Sequence, residues 1–151
     1  MNAFEKWSVW ITSVLTGLTG VGTFFIKYMM ESSDPFSVLN HPLEPWFIKA
    51  HIILSPFLLV AVGSILVRHV WRHFRMRITI GRRSGVTTAL VFFPMVVSGY
   101  LIQAVTNPGG LATITVSHLV LSALYIVGLG IHQVVVHLRQ RRGGAAYVGD
   151  I

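Results

Sequence analysis

Long apolar runs separated by short polar breaks set the plan of this chain. Four runs, at about residues 7–30, 46–74, 86–105 and 112–138, are each long enough to cross a hydrocarbon core of ~30 Å as a helix. They predict an all-α fold, an integral membrane four-helix bundle in which residues 1–151 form a single transmembrane domain. The breaks read as loops. Glu31–Pro45, ESSDPFSVLNHPLEP, has turn signals at Asp34-Pro35 and His41-Pro42. Its last residue, Pro45, suits the first turn of the next helix. Arg77–Gly85, RITIGRRSG, is a basic loop with Gly81 and Gly85 as breakers, and TNPGGL (106–111) is a tight uncharged turn. RQRRGG is expected to end the fourth helix. Pro56 lies inside the second helix and is expected to kink it. Trp46 and Phe47 suit an interfacial position. The first run starts close to the N-terminus and lacks a small-residue cleavage site, so it reads as a retained helix. Its glycines, Gly17, Gly20 and Gly22, either let helices approach closely or admit a flat macrocycle beside the backbone.

Composition supports a lipid-facing protein. Hydrophobic residues make up 53% of the chain and charged residues 11%, against about 25% charged in soluble domains. The net charge of +7 is not spread over a nucleic-acid-binding face. Six of nine arginines lie between Arg68 and Arg83, and three between Arg139 and Arg142. By the positive-inside rule that clustering puts both termini in the cytoplasm. The loop with Glu31, Asp34 and Glu44 then faces outward, toward the periplasm if the membrane is the bacterial inner membrane. The absence of cysteine excludes disulfides, iron–sulfur clusters, thiolate-ligated haem and covalent c-type haem attachment.

Histidines then change the picture. His51 and His69 lie on the second run, His118 and His132 on the fourth. An ionisable residue in hydrocarbon is costly and marks a functional site by default. Both runs are even-numbered spans and run from outside to inside, so His51 and His118 fall near the outer face, and His69 and His132 deeper. At about 100° per residue, His51 and His69 share a helix face, and His118 and His132 lie within about 40° of one. The two pairs are about 27 Å and about 21 Å apart along their helices. Two bis-histidine haems b stacked across the membrane fit this pattern, the outer on His51 and His118, the inner on His69 and His132. The unequal spacings leave roughly 6 Å of depth for tilt or the Pro56 kink to absorb. His137 matches His69 better in depth but is worse in phase, so it stands as the alternative to His132, and His73 as a substitute for His69. His41, in the loop, reads as a surface residue.

Zinc or copper fits less well, because such sites gather their ligands within a few ångströms. A proton relay normally needs acids in the chain, and none lies within the second, third or fourth run. Arg68, Arg72 and Arg75 could bind haem propionates at the inner pair, as could Lys49 outside, or could simply be topogenic charge. Tyr100 and Gln103 could line a quinone site or face neighbouring helices.

The segments NHPLEPWFIKAHIILSP, LVRHVW, FFPMVVSGYLIQ and SHLVLSALYIVGLGIHQ resemble the di-haem cytochrome b membrane subunits of bacterial formate dehydrogenases and nickel–iron hydrogenases. The resemblance implies two haems b and electron transfer between the quinone pool and a periplasmic c-type cytochrome or dehydrogenase subunit, within a larger complex. Such subunits often draw one ligand from helix 1; here helix 1 has no histidine and helix 2 supplies two. The chain has no evident nucleophile or acid–base pair, so any enzyme activity would be quinone oxidoreduction within such a complex. The alternative is a cofactor-free structural or assembly subunit. A small transporter is disfavoured, since no inverted repeat or broken helix is apparent.

Overall fold

A computed structural model describes residues 3–32, 34, 36–66, 75 and 82–148, with the side chains of 82 and 140–148 left aside. The described residues form four α-helices: α1 (Ala3–Met29), α2 (Glu44–Ile65), α3 (Arg82–Ala104) and α4 (Pro108–Val148). All four are long and apolar enough to cross a membrane; in α3 and α4 the apolar segments are Arg83–Ala104 and Pro108–Arg139. The chain divides into two compact units, Met1–Ile65 and Leu66–Ile151, each containing one helical hairpin.

In the first hairpin α1 packs antiparallel on α2, with Gly20 against His51 and Gly22 against Phe47. Three hydroxyls on α1 are satisfied by their own helix. Ser8, Thr12 and Thr23 donate to the carbonyls of Phe4, Ser8 and Thr19, at 2.8, 2.7 and 2.8 Å. Such back-bonding lets a polar side chain sit where no water is available. The connecting loop is tied at both ends. Asn40 Nδ2 donates to Lys27 O at 2.7 Å, taking up a carbonyl at the C-terminal end of α1. His41 Nδ1 accepts from Leu43 N–H at 3.1 Å, and Glu44 accepts from Asn40 N–H at 3.2 Å. Glu44 is buried, whereas Glu31 and Asp34 are exposed. Pro45 is the second residue of α2, where its missing N–H costs nothing, and Pro56 is accommodated within the helix.

In the second hairpin the core runs between α3 and α4. Phe92, 1% exposed, packs against Tyr125 with ring centroids 5.4 Å apart. Three boundaries differ from the sequence expectation for physical reasons. Asn107 caps α4, its Oδ1 accepting from Gly110 N–H at 2.7 Å, with Pro108 in the first helical position. TNPGG is therefore a helix start rather than a free turn. Gly85, expected to break the chain, lies inside α3, because its bare Cα faces the His132 ring. Helix α4 also continues past Gly143 and Gly144 to Val148. The Arg and Gln residues before the glycine pair are good helix formers.

Candidate functional site

Three of the four histidines expected to hold a cofactor lie among the described residues, and the hairpins treat them alike. Each comes from the second helix of its hairpin, and each ring sits on a glycine of the first helix. A Cβ added at Gly20 would lie 2.9 Å from His51 Cε1; at Gly99 or Gly85 it would lie 3.1 Å from Cε1 of His118 or His132. At Gly20 that distance is under 3.0 Å, which real Cβ atoms essentially never show, and at Gly99 and Gly85 the ring would have to give by a few tenths of an ångström.

Beside each glycine stands a hydroxyl. His51 Nδ1 lies 3.2 Å from Thr19 Oγ1 and 3.0 Å from Thr16 O. For His118 the partners are Ser98 Oγ at 3.1 Å and Met95 O at 3.0 Å. His132 Nδ1 is 3.0 Å from Ser84 Oγ. A carbonyl oxygen only accepts, so Nδ1 of His51 and of His118 must carry the proton. A neutral ring with its proton on Nδ1 carries its lone pair on Nε2. Metal-bound histidines commonly show this state, donating the other ring N–H to a carbonyl or a similar acceptor.

The two seats of the second hairpin are related by register. Fourteen residues separate Gly85 from Gly99 on α3, and fourteen separate His118 from His132 on α4. In an antiparallel pair, equal steps in opposite directions keep residues opposite one another. The seats therefore lie at two levels about 21 Å apart. Phe92 and Tyr125 fall midway, seven residues from each seat on their own helix. Thr88 Oγ1 also lies between the levels, 3.0 Å from where a Cβ on Gly128 would be.

The other candidates are placed less tellingly. His137 is exposed, and it has no seat of this kind among the described residues. His41 belongs to the loop cap. Tyr100 is 53% exposed, and Gln103 is exposed, its amide 3.4 Å from Gly99 O. The Gly20 and Gly22 spaces, one candidate cradle for a macrocycle, are filled by the His51 and Phe47 rings. Lys49 Nζ lies over the Trp46 ring at 5.4 Å. His69, His73, Arg68 and Arg72 lie outside the described residues. Among the described residues no three His, Cys, Asp or Glu side chains gather into a metal-holding group. A bis-imidazole iron takes two protein ligands, so that finding bears on zinc-type clusters rather than on haem.

Sequence reasoning passed over Thr19, Ser84 and Ser98. Their signal was present: Ser84-Gly85 and Ser98-Gly99 repeat at the same fourteen-residue spacing as His118 and His132.

Imidazole nitrogens are a donor set that suits haem iron. Three imidazoles within apolar helices are anchored at Nδ1, by a hydroxyl in every case and by a carbonyl as well at His51 and His118. Thr16 Oγ1 is buried without a hydrogen-bond partner among the described residues, on the residue whose carbonyl anchors His51. Such an orphan polar atom is expected where a further group lodges. No protein-family model, curated protein or solved structure matches the chain, so any function has to be argued from these residues.

Proposed function

We propose that the protein is a membrane electron-transfer subunit, a b-type cytochrome holding two haems through histidine Nε2 atoms. The observation that carries this reading is the seated, Nδ1-anchored imidazole, which recurs three times in apolar helices. Ordering an imidazole against a glycine and a hydroxyl has a clear use when its far nitrogen must meet a metal. The assigned ligands are His51 and His118 for the outer haem, and His69 and His132 for the inner one. His132 is preferred to His137 because it is seated, whereas His137 is exposed. Haem b supplies one-electron chemistry when bound, and this chain's residues supply axial nitrogens, burial and hydrogen bonds that set its potential. Arg68 and Arg72 are assigned to propionates of the inner haem through charge-assisted hydrogen bonds.

The arginine clusters support cytoplasmic termini and a bacterial inner-membrane location. Quinone on one side and a periplasmic c-type cytochrome or dehydrogenase subunit on the other are the proposed electron partners, within a larger complex. The docking charges of the outer loop reduce to Glu31 and Asp34, since Glu44 is buried and engaged with Asn40.

A second reading has its own support. The same contacts tie α1 to α2 and α3 to α4, and interhelical hydrogen bonds of this kind are worth about 0.6–2 kcal/mol in membranes. A cofactor-free structural subunit would use the histidines as such ties.

A dithionite-reduced minus oxidised spectrum of the purified protein, with extracted haem counted per chain, separates the two. Sharp low-spin b-type bands and two haems per chain are expected. No haem in protein purified with its native partners overturns the cytochrome reading and leaves the structural one.

A further inference from the structure

We propose that the hydroxyls of Thr19, Ser98 and Ser84 are positioning residues: each fixes the Nδ1–H tautomer of its histidine and tunes the haem that this histidine ligates. The inference rests on the haem reading for its second half and stands without it for the first.

The hydroxyls have no need of histidine for their own satisfaction. Ser98 Oγ donates to Met95 O at 2.8 Å, and Thr19 Oγ1 donates to Leu15 O at 3.0 Å or Thr16 O at 2.9 Å. Having spent its proton on a carbonyl of its own helix, each of these two hydroxyls presents lone pairs to the imidazole. A hydroxyl that donates is polarised and accepts more strongly, by about 10–30%. At two seats the carbonyl three residues earlier receives both the hydroxyl and Nδ1–H: Thr16 O for Thr19 and His51, Met95 O for Ser98 and His118. Hydroxyl, carbonyl and imidazole thus close a triangle, and the ring plane is fixed by two contacts rather than one.

The glycine beside the hydroxyl completes the device. Thr19-Gly20, Ser84-Gly85 and Ser98-Gly99 are adjacent pairs, so one residue holds the nitrogen while the next makes room for Cε1. Three occurrences on two helices, in two separate hairpins, set the arrangement apart from a chance contact.

At His51 and His118 two acceptors on one N–H pull its proton outward and leave the ring richer in electrons, and at His132 the Ser84 hydroxyl is assigned the same role. An electron-rich imidazole favours ferric over ferrous iron, so removing an acceptor raises the midpoint potential. Each hydroxyl therefore labels one haem. Thr19→Ala and Ser98→Ala should raise the same midpoint potential, and Ser84→Ala the other. Each should also weaken haem retention by roughly 10-fold. Thr19→Ser, which keeps the hydroxyl, should restore the parent potential.

The experiment has two arms on the full-length chain. The first is a spectroelectrochemical titration of wild type, the three alanine variants and Thr19→Ser. The second is 15N NMR of histidine-labelled protein prepared without haem, to read the tautomers. Upward shifts confined to one haem per variant, with Nδ1–H at His51, His118 and His132 in the haem-free wild type, are the expected results. Midpoints unmoved, or both haems shifted equally by every variant, would overturn the tuning role. Nε2–H tautomers in the haem-free chain would overturn the seat itself. Absence of haem sinks the cytochrome reading alone, because the tautomer arm still reports on the seats. Were Thr19→Ala and Ser98→Ala to move different haems, the seats would stand and the shared ligation by His51 and His118 would fall.

Discussion

The two hairpins solve the same packing problem to different depths. Hairpin α3–α4 carries two seats, joined by a short capped turn, with a buried Phe92–Tyr125 contact midway. Among the described residues hairpin α1–α2 carries one seat, opposite Gly20, and its helices are joined by a longer loop tied down through Asn40, His41 and Glu44. Fourteen residues beyond His51 the chain has Ile65 rather than histidine, and fourteen before Gly20 it has Lys6 rather than glycine. The two-level register of the second hairpin is therefore absent from the first. The difference teaches that a seat needs both halves: a histidine at the right step of one helix, and a hydroxyl–glycine pair at the matching step of the other.

The largest break in this comparison comes from the histidines proposed as haem ligands. His118→Ala should remove the outer haem and His132→Ala the inner one, each lowering the haem count from two to one per chain by pyridine haemochrome assay. The same substitution at His137 should leave two.

Filling the glycine spaces should come next, and should rank the seats. Gly20→Ala places a methyl 2.9 Å from its ring, closer than at Gly99 or Gly85, where the distance is 3.1 Å. Haem content after purification should fall most for Gly20→Ala and less for Gly99→Ala and Gly85→Ala. A reversed order would show that the rings shift freely and that the seats are loose.

Stability should distinguish the spacers. Phe92→Ala deletes a ring that is 1% exposed and should destabilise the second hairpin by about 3–5 kcal/mol. Leu58, 4% exposed and seven residues after His51, is its counterpart in the first hairpin, and Leu58→Ala should cost about 2–5 kcal/mol. Unfolding in mixed micelles followed by tryptophan fluorescence and far-UV circular dichroism would measure both. The smallest effect belongs to the loop. Glu44→Ala loses the bond from Asn40 N–H and should cost about 1 kcal/mol, read in the same unfolding experiment, with the haem spectrum unchanged.

Much of the frame was legible before any coordinates. Among the described residues the four apolar runs form four helices, each long and apolar enough to cross a membrane, as their length and hydropathy predict. Boundaries were less legible. Gly85 looks like a breaker when α3 is read alone, and it becomes a seat only when His132 lies opposite. Asn107-Pro108 looks like a turn until the Asn107 side chain is seen capping the helix.

By itself the sequence determined the four apolar helical runs and which histidines lie within them. Those follow from composition and from the helical period, which are properties of one segment at a time. Only the tertiary structure decided that Thr19, Ser98 and Ser84 hold the imidazoles, that His132 is seated while His137 is exposed, and that Gly20, Gly85 and Gly99 are there to make room. These depend on the register between two helices. Register is set by loop geometry and by the packing of many side chains together, and no single helix contains that information.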